Sequence, residues 1–115
     1  MDTTAESPCP WQTIRNDVFT ARASPAVCAI SPDQILICGG WNGYDFFTDV
    51  LVFEVETANI RKIADLPFPI KCENQSYAER EGVALSLVDT KDKGECLVRF
   101  TVETNKLELV AERLQ

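Results

Sequence analysis

The octet Phe53-Glu-Val-Glu-Thr-Ala-Asn-Ile60 returns later in the chain as Phe100-Thr-Val-Glu-Thr-Asn-Lys-Leu107. This self-similarity constrains the fold more than any other feature, because such a period is the signature of stacked copies of one supersecondary unit. The match extends outward on both sides. Val50-Leu51-Val52 answers Leu97-Val98-Arg99, and Ile63-Ala64-Asp65 answers Val110-Ala111-Glu112. Upstream, Gln34-Ile-Leu-Ile-Cys38 answers Gly82-Val-Ala-Leu-Ser86 once the intervening loop is allowed to differ by one residue. A third copy survives only as Trp11-Gln-Thr-Ile14, which resembles Ile60-Arg-Lys-Ile63. The chain therefore holds two repeats and the tail of another.

Each apolar segment within a repeat is short, rich in Val, Ile, Leu and Phe, and bounded by Gly, Pro, Asn or Asp, which predicts strands and an all-β fold. Val98, Phe100 and Val102 alternate with Arg99 and Thr101, as on a strand with one covered face. Ile35 to Cys38 and Val50 to Phe53 are continuous apolar runs, expected for strands covered on both faces. Four strands are predicted in the first copy, over 25–30, 34–38, 49–56 and 60–63. The second copy repeats them over 75–79, 83–88, 95–102 and 107–111. A helical reading of Tyr77 to Gly82 competes with the strand predicted there.

The connections have their own chemistry. Glu56-Thr57-Ala58-Asn59 and Glu103-Thr104-Asn105-Lys106 are tight polar links in which Thr and Asn can hydrogen-bond back to the chain and Asn tolerates a left-handed conformation. Each is expected to close a hairpin between the third and fourth strands. Ser31-Pro32-Asp33 is a turn signal between the first two. The prolines of Leu66-Pro67-Phe68-Pro69-Ile70 are expected to stop ladder pairing and carry the chain out of the first copy.

Composition narrows the function classes. A net charge of −7 over 115 residues repels phosphate backbones and anionic lipid, so neither nucleic acid nor membrane is an expected partner. No His is present, which removes the commonest general base and metal ligand. The polar, acidic stretch Met1 to Pro10 reads as a disordered tail without the apolar core of a secretory signal. A cytoplasmic location is expected, with Cys9, Cys28, Cys38, Cys72 and Cys96 reduced and serving as small buried hydrophobes plus a couple of surface thiols. Scattered spacing without His makes them a poor zinc set, and neither metal nor cofactor is expected. Glu56, Glu103 and Asp49 fall at expected strand ends and form no recognisable catalytic pair, so an enzyme is the disfavoured class.

The run Ile35-Leu-Ile-Cys-Gly39-Gly40, followed by Asp49-Val50-Leu51-Val52-Phe53 and by Thr57 in the next turn, resembles the Kelch repeat. Ile60 stands where that family has Trp. The second copy keeps Phe100, Thr104 and Leu107 but has Leu87-Val88 in place of the glycine pair, a degenerate repeat; Trp11 fits the family's Trp. Gly39 and Gly40 would let the backbone adopt dihedrals closed to other residues. Alternatively, the pair merely opens the loop that follows.

The resemblance implies two four-stranded antiparallel propeller blades, over 24–70 and 71–115, with one extra strand of a preceding blade and its link over 11–23. Six blades of this size would need roughly 290 residues, so the propeller would be incomplete, and the chain a divergent or truncated member. It also implies a non-catalytic module that binds a peptide or protein, and further blades or self-association to cover the open ends. Trp41, Asn42, Tyr44, Asp45 and Phe46, on the loop between the second and third strands, are the candidate contact residues, with Phe47 turned inward. Trp41 and Tyr44 capping the blade edge is the competing structural reading. By the resemblance, residues 65–74 and 89–94 would line the same face. Two alternatives stand beside binding. One is a remnant without independent activity. The other is part of an enzyme propeller of the galactose oxidase kind, whose copper is held by Tyr and His; Tyr44 and Tyr77 are available here, but no His.

Overall fold

A computed structural model describes residues 18–112. The expected tail over 1–10, Trp11 and most of the extra strand lie outside these residues. Among those described, the structure is all-β, with eight strands and no helix. The strands are β1 (Ala26–Ser31), β2 (Gln34–Cys38), β3 (Phe47–Glu54), β4 (Asn59–Lys71), β5 (Ser76–Arg80), β6 (Val83–Thr90), β7 (Gly94–Thr101) and β8 (Lys106–Glu112). All pairings are antiparallel, in the order β1-β2-β3-β4-β6-β7-β8 with β5 alongside β6, making one open sheet. The helical alternative at Tyr77 to Gly82 is overturned: β5 occupies the segment, and Gly82 takes a φ of +78° in the turn to β6.

The sheet divides into two four-stranded meanders, β1–β4 and β5–β8. They are built alike down to their irregularities. A bulge interrupts the β3–β4 ladder between Val50 and Leu51, and another interrupts the β7–β8 ladder at the equivalent step from Leu97 to Val98. The β1–β2 ladder shifts between Ala29 and Ser31, the β5–β6 ladder between Ala78 and Arg80. The links after β3 and β7 place Ala58 and Asn105, which match in the sequence repeat, at φ of +56° and +54°. Bulges twist a strand locally at a defined point, so their recurrence gives both meanders the same shape. One detail of the sequence alignment is corrected. Gln34 pairs with Glu54 whereas Val83 pairs with Thr101, so the structural counterpart of Gln34 is Val83 and not Gly82.

Two further expectations change. The strand predicted over 60–63 runs on to Lys71, through both prolines. Its ladder with β3 jumps from Asp49–Asp65 to Phe47–Ile70, so Leu66 to Pro69 form a wide bulge in which Pro67 and Pro69 need no N–H to donate. Beyond it, Ile70 and Lys71 pair with Thr90 and Asp89 of β6. The division at 70/71 read from the repeat therefore falls inside a strand that belongs to both meanders.

The core lies between the meanders, with β1 against β5 and β6. The first contributes Ile30, Leu36, Val50 and Val52; the second contributes Val88, Cys96, Val98 and Phe100, all nearly inaccessible. Burial of each such side chain stabilises the fold by about 1.5–3 kcal/mol. Leu51 is also fully enclosed, in keeping with a run covered on both sides, whereas Ile35 and Ile37 are only half-buried. Phe100 is in the core, and Phe53 points to the opposite side of its meander. Thr57 and Thr104 both lie exposed in the hairpin links.

Candidate functional site

The loop from Gly40 to Phe46 is held in shape by the residues at its base. Gly39 and Gly40 have φ of +65° and +120°, and a Cβ on Gly39 would stand 2.6 Å from the Ile70 carbonyl oxygen. Both conditions exclude a side chain there. The Gly39 N–H donates to the Asp49 backbone carbonyl at 3.0 Å and the Gly40 N–H to the Ile70 carbonyl at 2.8 Å, so the pair closes β2 against both β3 and β4. The glycines are thus a structural requirement in addition to opening the loop.

Beneath them lies a group that nothing local in the sequence marks. The Arg22 side chain is wholly enclosed and its guanidinium grips the Asp49 carboxylate with two nitrogens, Nη2 at 2.9 Å, while Nη1 also donates to the Gly39 carbonyl at 3.0 Å. Phe47 and Phe19 cover it, with ring centroids 4.6 and 5.1 Å from Cζ. Phe47 therefore does pack onto the body of the unit. Asp49, expected at a solvated strand end, is a buried-pair partner, because a bidentate fork satisfies a carboxylate that cannot be fully hydrated.

Within the loop, Asn42 works on the backbone. Its Oδ1 accepts from the N–H groups of Tyr44 and Asp45 at 2.9 and 2.8 Å, and its own N–H donates to the Asp45 carbonyl at 3.2 Å. This Asx-type turn presents Tyr44, which is 85% exposed. Trp41 bridges back to Phe46 on one side and to Ala23 on the other. Asp45 is exposed, while Trp41 and Phe46 are half-buried.

Segments far apart in sequence meet at this loop. The Lys71 ammonium lies 5.0 Å from the Trp41 ring centroid and 5.8 Å from that of Phe46, and the Lys91 ammonium lies 5.3 Å from Phe46. Lys71 also pairs with Glu73 at 3.1 Å. A shallow groove lined by Ala21, Ala23, Trp41, Asn42 and Gly43 runs alongside. Trp41 and Phe46 are thus brought together, Tyr44 stands exposed on the same loop, and Asn42 is spent on the turn. Lys71 and Lys91 fall in the segments 65–74 and 89–94 that the resemblance set on the face of this loop, but neither was singled out, since a lysine carries no signal of its own until the fold sets it against aromatic rings.

Elsewhere the chemistry is quiet. Glu56 and Glu103 are exposed in the hairpin links. Among the described residues no three of His, Cys, Asp or Glu converge as a metal set, and no helix is long and apolar enough to cross a membrane. Cys28, Cys38, Cys72 and Cys96 are all free and buried, so no described cysteine is one of the expected surface thiols; Cys9 lies outside the described residues. Burial pushes the thiols of Cys28, Cys38 and Cys96 above their ordinary range, which keeps them protonated and unreactive. The interior cavity between the meanders, about 10 Å³, is at the lower limit for a single water and too small for an organic ligand. No family model matches the chain, and no curated protein matches it.

Proposed function

We propose that the chain is a pair of Kelch-like propeller blades acting as a non-catalytic module in the cytoplasm, and that it holds a peptide or protein at the loop end bearing Trp41, Tyr44 and Phe46. The observation that carries this reading is the convergence of three chain segments, the loop, the end of β4 and the turn after β6, around one aromatic and cationic patch. Trp41 and Phe46 lie against the Lys71 and Lys91 ammonium groups, with Tyr44 projecting beside them at 85% exposure. Aromatic side chains at low entropic cost, next to adaptable polar groups, are the make-up of protein contact surfaces. The turn held by Asn42 fixes the loop before binding, which lowers the ordering cost of association. The glycine pair at the end of β2 and the repeated β3–β4 and β7–β8 hairpins support the Kelch-like reading. The four free, buried thiols suit a reducing compartment.

The test is a peptide-display selection against the immobilised full chain, followed by titration of the selected peptides. Replacing Tyr44 with Ala removes a solvent-facing ring, so melting should be unchanged while affinity falls by about tenfold or more. Trp41→Ala should lower both. Failure to select any peptide, or equal binding by wild type and both variants, would refute the reading.

A further inference from the structure

The two meanders meet through unlike surfaces. By ladder register, Ile35, Leu36, Ile37 and Cys38 of β2 correspond to Ala84, Leu85, Ser86 and Leu87 of β6, since Ile35 pairs with Phe53 as Ala84 pairs with Phe100. The first meander turns Leu36 and Cys38 into the shared core. The second turns in Ala84 and Ser86, the counterparts of Ile35 and Ile37. The same exchange holds on the third strand of each: Val50 and Val52 face the core in β3, whereas Val98 and Phe100, the counterparts of Leu51 and Phe53, face it in β7. The contact inside the chain is therefore of the head-to-tail kind, one side of the unit against the other side of its copy.

Each remaining side is the counterpart of a surface already in use. Among the described residues, the side of the first meander turned away from the core carries Val27, 49% exposed, with Ile35, Ile37 and Phe53 half-buried around it and Leu51 fully enclosed. It corresponds to the surface that the second meander presents to the core. The free side of the second meander carries Leu85, Leu87 and Leu97, the counterparts of Leu36, Cys38 and Val50. Leu87, Leu97 and Ala111 line an open groove there. Arg99, the counterpart of Val52, pairs with Glu79 at 2.6 Å and with Glu108 at 3.4 Å beside this apolar strip.

We infer that a second copy of this chain docks there, the free side of its first meander stacking on the free side of the second meander and continuing the contact that joins the two inside one chain. Such a join uses two different patches, so it predicts complementation that a self-complementary dimer cannot give. The experiment measures mass by light scattering over a range of concentrations for the full chain, for Val27→Glu and for Leu87→Lys. Wild type should grow beyond one copy, and each variant alone should remain at 12.8 kDa, since every copy then carries the same blocked side. Mixed, the variants should form a one-to-one pair at about twice that mass, because Val27→Glu leaves the second meander's side intact and Leu87→Lys leaves the first's. Circular dichroism melts establish that each is folded; Tyr77→Lys, at a 63% exposed position on the same side, replaces Leu87→Lys should that variant unfold. Monomeric wild type at every concentration, or variants that do not complement each other, would overturn the inference. Neither outcome touches the peptide-binding reading, which rests on the loop end.

Discussion

Gly39 shows how much can hang on an absent methyl group. Its φ of +65° already disfavours any other residue, and an added Cβ would meet the Ile70 carbonyl oxygen at 2.6 Å and Cγ1 at 2.7 Å. Gly39→Ala should therefore cost about 3 kcal/mol, the left-handed backbone and the overpacking adding together. Gly43 has a φ of +101° but nothing within 4 Å of its would-be Cβ, so Gly43→Ala should cost only about 1–2 kcal/mol. Urea-unfolding midpoints of the two variants compare these figures directly. The glycine pair was legible in the sequence because a residue type can announce a backbone conformation. Arg22 was not, since its meaning depends on Asp49, 27 residues away, and on two rings that the fold lays over it. Lys71 and Lys91 were hidden for the same reason: their position against Trp41 and Phe46 is a product of pairing between distant strands.

At the level of strands and turns, local pattern carried most of the information. Short apolar runs bounded by turn residues placed all eight strands, with β2 and the start of β6 at the predicted positions. The one large difference is β4, where the prolines ended the predicted strand but in the structure sit in a bulge that no ladder bond requires. Nothing local says that pairing resumes at Ile70, because its partners Phe47 and Thr90 come from two other strands. The hairpin links add a test of equivalence. Ala58 and Asn105 occupy the same left-handed position, yet only Asn tolerates it cheaply. Ala58→Gly should stabilise the protein by about 0.5–1 kcal/mol, and Asn105→Gly by distinctly less, read as shifts in thermal midpoint.

For the molecule as a whole, the two meanders share one core, and among the described residues each has a second side turned away from it. If copies stack as inferred, association stabilises the folded state by mass action. The thermal midpoint of wild type should then rise with protein concentration, and that of Leu87→Lys should rise less, in scans at several dilutions. The other consequence of the architecture lies in β4, whose last residues bond to the meander before and the meander after. The internal repeat does not make two separable bodies. A cut at the seam between the copies would pass through a shared strand and strip each fragment of a neighbour it was built around, so neither half would be expected to stand by itself.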